Sequence, residues 1–209
     1  MYSLIRYLKI LFGISILVLI SGCGKEDLGV CIDDHIAARN SYPLVDDEDG
    51  RDKQAAIQRD LKYGKCFVQK LGINREKTKI EMAQKVLDYT STTIVYVKDQ
   101  SNVSASSINR PGTRLPSRTV VDGKGDCEDK SVLAAVMLKE LNIPTYIIHR
   151  PPIKHEVGHI FLGVVVDYKT QLTCGNVNLL AFDPTLKNAK LGDVEDGLKL
   201  NGKFRCGLI

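Results

Sequence analysis

Residues 125–143, with the sequence GDCEDKSVLAAVMLKELNI, determine the fold of this chain. Their apolar positions lie on more than one side of a helix, so this helix is expected at the centre of a domain. Asp126 is a good N-cap because its side chain can accept hydrogen bonds from unpaired backbone N–H groups. Asn142 can adopt the left-handed conformation that ends a helix, and Pro144 prevents continuation. We therefore predict a central helix from about Cys127 to Leu141.

Three short apolar stretches follow the predicted helix and are separated by turns: residues 145–149, 159–166 and 179–182. Their length and β-branched content are typical of strands. Such strands fit an antiparallel sheet packed against the central helix. A helical part followed by a sheet indicates the α+β class.

Two helices are predicted upstream of the central one. Apolar positions recur at three- and four-residue steps between residues 74 and 90, with Asn74 as the expected N-cap. Residues 53–71 show a weaker helical pattern that a glycine interrupts. We expect the Ser-, Asn-, Pro- and Gly-rich residues 99–117 to form a surface loop, and residues 187–209 to form a polar tail.

The N-terminal residues differ in composition from the rest of the chain. Arg6 and Lys9 precede an apolar run, residues 10–20, and two small residues then precede Cys23. This order is typical of a secretory signal, and the apolar run is short for a membrane span. A plain buried or anchoring helix with an incidental cysteine is the alternative.

The string Ile20-Ser21-Gly22-Cys23 resembles the bacterial lipobox, in which the cysteine receives lipid and becomes the first residue after cleavage. The resemblance implies acyl chains such as palmitate that hold the protein at a membrane without a span. It divides the chain into a signal peptide, residues 1–22, a tether, residues 23–52, and a domain, residues 53–209. Gly24 after the lipidated cysteine implies, by analogy with enteric bacteria, the periplasmic face of the outer membrane.

Composition and charge exclude one class of partner. Hydrophobic residues make up 44% of the chain and charged residues 26%, so a globular core can form. Loss of residues 1–22 removes Arg6 and Lys9 and lowers the formal net charge from +4 to +2. A nucleic-acid-binding protein would carry a basic stripe, so we expect no nucleic-acid partner.

The cysteine count fits an exported protein, in which disulfides can form. The chain has six cysteines, and lipid on Cys23 leaves an odd number, which suggests a reactive thiol. If that thiol is Cys127, the other four can form two bridges in any of three pairings. These four are Cys31, Cys66, Cys174 and Cys206. A bridge from Cys206 to Cys174 would tie the tail to the sheet.

Cys127 lies in the first turn of the predicted central helix. The partial positive charge of a helix start favours a thiolate and should lower the thiol pKa. Asp126, Glu128 and Asp129 oppose this trend. An imidazolium close by would therefore have to stabilise the thiolate, as in cysteine–histidine pairs.

A histidine and an aspartate lie at the ends of predicted strands. His159 begins one strand, and Asp183 ends another. Adjacent antiparallel strands could bring them together, so that Asp183 orients the imidazole and His159 accepts the thiol proton, as acyl transfer requires. His155 is the fallback base. No Cys-x-x-Cys or His-x-x-x-His pair supplies two ligands locally, so we predict no metal site.

These residues carry a family resemblance. The run from Leu115 to Ser131 closely resembles the nucleophile segment of the transglutaminase-like superfamily. Residues 158–164 resemble the family's histidine strand, and Asp183-Pro184-Thr185 resembles the later strand end. The resemblance covers roughly residues 75–186, with residues 187–209 as a C-terminal tail.

The resemblance implies a papain-like fold and a cysteine acyl-enzyme mechanism. Members include crosslinkers, amidases and bacterial peptidases, among them periplasmic enzymes that clip adhesins. Many members carry a tryptophan shortly after the histidine, and this chain has none, which leaves the substrate pocket undefined. We expect hydrolysis of protein or peptide amides; the alternative is a catalytically silent scaffold or adaptor that binds a cell-envelope protein. No cofactor is expected, although some peptidase relatives bind calcium near this segment.

An acyl-enzyme mechanism also needs donors to the oxyanion. The backbone N–H of Cys127 would supply the first. Gln100, Asn102 and Tyr96 are candidates for the second, which a side chain from the loop or helix before the nucleophile would supply.

Overall fold

The computed structural model describes residues 51–73, 75, 77–98, 113–151, 158–194 and 204–209. The helices are α1 (Arg51–Asp60), α2 (Gly64–Lys70), α3 (Lys79–Thr92), α4 (Pro116–Asp122) and α5 (Cys127–Glu140), with a 3-10 turn at Leu61–Tyr63. The strands are β1 (Val95–Tyr96), β2 (Lys124–Gly125), β3 (Thr145–Arg150), β4 (His159–Val166), β5 (Leu172–Cys174), β6 (Val177–Phe182) and β7 (Arg205–Leu208). The predicted signal peptide, the tether up to residue 50, Cys23 and Cys31 lie outside the described residues.

Helix α5 is the predicted central helix. The Asp126 side chain accepts hydrogen bonds from the N–H groups of Glu128 and Asp129, at 2.9 and 3.1 Å. Asp129 reaches back to the Asp126 N–H at 3.3 Å, which completes a capping box. The helix is buried continuously from Asp129 to Leu138. Asn142 has a φ of 55°, so the predicted left-handed stop is confirmed.

The larger sheet is antiparallel and has the strand order β5-β6-β4-β3-β7. The three predicted strands are its central members, and β4 pairs with β3 on one side and β6 on the other. One face packs on the helices through residues such as Leu162 and Phe182. The opposite face carries a smaller apolar cluster around Phe161 and Leu179. The predicted α+β class, with a central helix on an antiparallel sheet, is confirmed.

The C-terminal segment is more than a polar tail. Residues 205–208 form β7, which pairs with β3 at the sheet edge. A disulfide between Cys174 and Cys206, with Cα atoms 6.2 Å apart, joins this edge to β5 at the opposite edge. The structure therefore contains the predicted bridge, which ties residues 204–209 to the sheet. Cys66 is also disulfide-bonded.

Two boundaries differ from the prediction. The helix expected from Asn74 begins at Lys79, because Thr78 and Glu81 form a complete capping box there. Asn74 itself lies outside the described residues. The predicted loop is shorter at its C-terminal end, because Pro116 takes the first position of α4. A backbone N–H has no partner within the helix at this position, so proline fits there without loss of a hydrogen bond. Within the described ranges, no helix combines the length and apolar character that a membrane crossing requires.

Candidate active site

Cys127 is the first residue of α5, and a two-stranded parallel ladder leads the chain into it. Strand β1 pairs with β2, so that Tyr96 lies opposite Gly125, and the Val97 N–H donates to the Gly125 carbonyl at 3.0 Å. A side chain at Gly125 would place its Cβ 2.5 Å from the Cβ of Asp129. The absence of a side chain at Gly125 therefore lets Asp129 fold back against the start of the helix.

A buried ion pair fixes the helix start to the segment before α4. The Arg114 Nη1 lies 2.9 Å from the Asp129 Oδ2, and the Arg114 backbone N–H donates to the Asp129 Oδ1 at 2.6 Å. The side chains of Arg114 and Asp129 are only 1% and 0% exposed. Such a pair specifies one position for α5, since either charge without the other would be costly in this environment.

Glu128, the residue after Cys127, also has partners from two other segments. The Thr113 hydroxyl donates to its Oε2 at 2.8 Å, and the Nζ of Lys53 on α1 lies 3.4 Å from its Oε1. The carboxylate next to the thiol is therefore in contact with a cation that the sequence analysis did not select.

His159 and Asp183 form a direct hydrogen bond across the adjacent strands β4 and β6. The His159 Nε2 lies 2.8 Å from the Asp183 Oδ2. Asp183 is fully buried, and its Oδ1 accepts hydrogen bonds from the backbone N–H and the hydroxyl of Thr185, at 3.0 and 2.6 Å. The His159 ring also stacks on Phe161 with centroids 5.7 Å apart. Because the carboxylate accepts from Nε2–H, Nδ1 is left as the basic nitrogen.

The helix start and the histidine strand meet at Ile160. The Ser131 hydroxyl, one turn after Cys127, donates to the Ile160 carbonyl at 3.3 Å. The Ile160 backbone N–H is close enough to the Cys127 sulfur to act to lower the thiol pKa. Cys127 therefore lies beside the residue that follows His159, and the three residues selected from the sequence converge on one region.

The pKa of the Cys127 thiol is nevertheless raised to about 12. Burial is the largest cause, followed by the negative charge of Asp126 and, more weakly, that of Glu128. The predicted opposition of the neighbouring carboxylates is confirmed, and the backbone N–H of Glu128 at the helix start acts to lower the pKa, as expected. Burial, which the sequence did not reveal, is the largest contribution and makes the net change an increase, so the neutral thiol is favoured at rest.

Lys130 is a second buried titratable group at this site. It is 1% exposed on α5, and burial lowers the pKa of its ammonium to about 8, while the charge of Asp183 acts in the opposite direction. The carboxylate that holds His159 thus has a lysine in its electrostatic surroundings. Sequence reasoning placed Lys130 inside the motif but assigned it no role.

The remaining predicted site residues are less well defined by the structure. Tyr96 is 49% exposed and lies opposite Gly125, near the start of α5. Gln100, Asn102 and His155 lie outside the described residues. The Asp126 cap uses the N–H groups of Glu128 and Asp129 and leaves that of Cys127 available as an oxyanion donor.

No metal centre is evident in the part of the chain that the structure describes, since no group of three or more His, Cys, Asp or Glu side chains there could hold an ion. The acidic side chains of the helix start are instead engaged by protein groups. Asp126 caps its own helix, Glu128 contacts Thr113 and Lys53, and Asp129 pairs with Arg114.

Several contributors to the site were missed from the sequence, among them Lys53, Arg114 and Thr185. Lys53 is 74 residues before Cys127 and Arg114 is 13 residues before it, and nothing in their local patterns indicates burial. Thr185 had a signal, because an aspartate side chain in a turn commonly accepts a hydrogen bond from the backbone N–H two residues on.

Comparisons with known proteins agree with the motif. Residues 68–170 match the Transglutaminase-like superfamily, a range that contains Cys127 and His159 and ends before Asp183. The chain is similar to calcium-bound LapG from Legionella pneumophila, with 18% identity and a TM-score of 0.41 over 77% of this chain and 76% of that chain. For EGTA-treated LapG the identity is 18% and the TM-score 0.43, over 72% and 76%.

A candidate cysteine protease from Cytophaga hutchinsonii is similar at 15% identity and a TM-score of 0.39, over 73% of this chain and 52% of that chain. No protein of curated function matches the sequence. The matched range contains helices α3 to α5 and strands β1 to β4. Residues 68–170 of this chain therefore belong to the transglutaminase-like superfamily.

Proposed function

We propose that this domain is a cysteine hydrolase that cleaves protein or peptide amide bonds through Cys127, His159 and Asp183. The observation that carries the proposal is the buried 2.8 Å hydrogen bond between His159 and Asp183, next to the start of α5. It orients the imidazole with its Nδ1 unused by the aspartate. A histidine held in this way is what a general base beside a thiol requires.

The proposed reaction has two stages. In the first, His159 Nδ1 takes the Cys127 proton as the sulfur attacks the carbonyl carbon, and the backbone N–H of Cys127 stabilises the oxyanion. The imidazolium then protonates the departing amine, which leaves a thioester on Cys127. In the second stage, His159 activates a water that releases the acid and regenerates the thiol. Asp183 stabilises the imidazolium in both stages.

The raised thiol pKa bears on when the proton passes from Cys127 to His159 in the proposed reaction. Because burial and the neighbouring carboxylates raise the pKa of the resting thiol, the proposed mechanism forms the thiolate during attack rather than before it. Asp183 makes this transfer easier, since its carboxylate stabilises the positive charge that develops on the imidazole.

The proposal includes the cellular setting predicted from the N-terminal sequence. The protein would be lipid-anchored through Cys23 at the periplasmic face of the outer membrane and would act on envelope proteins or peptides. The Cys174–Cys206 disulfide supports an oxidising compartment. Incorporation of radioactive palmitate into the mature protein, and the loss of this label in Cys23→Ala, would test the anchor.

A second function, a scaffold that binds an envelope protein without catalysis, has one observation in its favour. A buried thiol with a pKa of about 12 is unreactive unless something lowers its cost of ionisation. In the scaffold, His159 and Asp183 would be a structural pair. The two functions differ in whether replacement of Cys127 abolishes hydrolysis, since the scaffold would have none to lose.

The test is hydrolysis of an unfolded protein and of a mixed fluorogenic peptide set by the mature chain. Cys127→Ala and His159→Ala should each reduce the rate by at least about a thousandfold, as for other nucleophile–base pairs. His155→Ala tests the fallback base and should retain activity if His159 is the base. Equal turnover in Cys127→Ala would refute the proposal. The proposed steps use no cofactor, and parallel assays with calcium and with a chelator test the calcium alternative.

A further inference from the structure

Lys53 is an unusual residue for the first turn of a surface helix, because it is only 7% exposed. Lysines are rarely buried to this extent unless their charge is paired. Its Nζ lies 3.4 Å from the Glu128 Oε1, and Glu128 is the residue after Cys127. Helix α1 thus delivers a buried ammonium to the neighbourhood of the nucleophile.

Charged groups from several elements lie around Glu128 and the start of α5. Asp126 and Glu128 come from the start of α5, His159 from β4 and Lys53 from α1. On β3, His149 lies opposite Ile160 of β4 and Arg205 of β7 in the sheet register. The other two charged side chains of the helix start face different partners, since Asp129 pairs with Arg114 and Lys130 is influenced by Asp183.

His149 provides a separate indication that Lys53 faces this region. Burial lowers the pKa of His149, the positive charges of Lys53 and Arg205 lower it further, and Glu128 raises it. His149 therefore experiences both members of the ion pair from a strand that is paired with the Ile160 position. The lowered pKa favours the neutral imidazole of His149, and Lys53 is the cation that contacts Glu128.

We propose that Lys53 is a positioning residue for the nucleophile: its ammonium, held against Glu128 by α1, offsets the carboxylate next to Cys127 and makes the thiolate easier to form. An opposite charge a few ångströms away favours the ionised form of an acid, and a like charge opposes it. Glu128 holds Lys53 in place at 3.4 Å, and the positive charge of Lys53 in turn opposes the effect of the Glu128 carboxylate on the thiol. This role rests on the proposed function only in taking Cys127 as the nucleophile.

A purely structural role for the ion pair is the competing explanation, since it also connects α1 to α5. Two substitutions separate the explanations because each breaks the same pair. Lys53→Met removes the cation and leaves the carboxylate, whereas Glu128→Gln removes the carboxylate and leaves the cation. A structural role predicts that both variants change the thiol in the same direction. An electrostatic role predicts opposite directions.

The experiment measures the alkylation rate of Cys127 by iodoacetamide in the full mature chain between pH 6 and 10. The Cys127 peptide is quantified by mass spectrometry, so that other cysteines do not interfere. At pH 8 we expect Lys53→Met to slow the reaction about tenfold, which corresponds to one pH unit in the thiol pKa. Glu128→Gln should accelerate it by up to the same factor. Lys53→Arg should keep the rate within about twofold, because it retains the charge.

Lys169→Met is the matched control, since Lys169 is exposed in the turn after β4, and its rate should equal that of the parent protein. Slower alkylation in both Lys53→Met and Glu128→Gln, or an unchanged rate in Lys53→Met, would overturn the proposal. If Lys53→Met does not fold, the sign of the Glu128→Gln change and the rate of Lys53→Arg decide it. Alkylation needs no turnover, so absence of hydrolysis would refute the proposed function and leave this result standing.

Discussion

Replacement of Asp129 by Asn should destabilise the domain strongly, although the side chain keeps its shape. Asp129 accepts hydrogen bonds from the backbone N–H and the Nη1 of Arg114 and from the backbone N–H of Asp126. An amide can still accept at one oxygen, but its NH2 group would face a donor. The guanidinium of Arg114 would then be buried without its counter-charge.

The expected size follows from the burial of the pair. Arg114 and Asp129 are 1% and 0% exposed, so water cannot replace the lost carboxylate. Breaking a buried ion pair by removing one partner costs about 3–5 kcal/mol, and we expect Asp129→Asn to lower the free energy of unfolding by that amount. The loss is a large part of the stability of a domain of this size, which is about 5–15 kcal/mol in total.

The assay is urea unfolding at pH 7 with the disulfides intact, followed by far-UV circular dichroism. Glu140→Gln is the matched control, because Glu140 pairs with Arg75 at 2.6 Å and the Arg75 side chain is 53% exposed. That surface pair should contribute less than about 1 kcal/mol. If the two variants lose the same free energy, burial of the Arg114–Asp129 pair does not govern its contribution, and the reasoning fails.

Three further predictions concern the neighbourhood of the site. Gly125→Ala should destabilise the domain by about 1–3 kcal/mol in thermal unfolding, because the new Cβ would meet Asp129 at 2.5 Å, whereas Gly207→Ala, with no atom closer than 3.9 Å, should be nearly neutral. Thr185→Val removes the 2.6 Å hydroxyl bond to Asp183 and should lower kcat about tenfold with little change in KM. A change in KM with an unchanged kcat would contradict a role in holding the carboxylate. Cys206→Ser removes the disulfide to Cys174 and should lower the free energy of unfolding by about 3–4 kcal/mol in urea unfolding under oxidising conditions. Under reducing conditions, the variant and the parent protein should have the same free energy of unfolding.

The sequence was sufficient for the parts of the fold that local physics determines. The capping residue Asp126, the continuous apolar stretch after it and the left-handed Asn142 define α5 without any tertiary information. The central strands follow from their apolar runs. Strand β7 could not be predicted in this way, because Arg205-Cys206-Gly207-Leu208 has no alternating pattern and is held by β3 and by a disulfide to a distant strand.

The site shows the same division. Cys127, His159 and Asp183 were selected from motifs at element ends, and the structure brings His159 and Asp183 into contact. The electrostatics were beyond reach, because the thiol pKa depends mainly on burial. Lys53 and Arg114 reach the helix start only after the chain folds, so their pairing with Glu128 and Asp129 carries no local signal.

The raised thiol pKa leads to a prediction that separates a resting thiol from a preformed ion pair. With a pKa of about 12, the alkylation rate of Cys127 should increase about tenfold per pH unit between pH 7 and 10 without a plateau, because only the thiolate reacts. His159→Ala should leave this slope unchanged, since the imidazole would act only when a carbonyl is being attacked. A plateau that begins below pH 7 and disappears in His159→Ala would contradict the prediction. In that case an imidazolium stabilises the thiolate before substrate binds, and the charges of Asp126 and Glu128 are outweighed by His159. In the absence of a plateau, hydrolysis that still requires His159 would place the proton transfer within the attack itself.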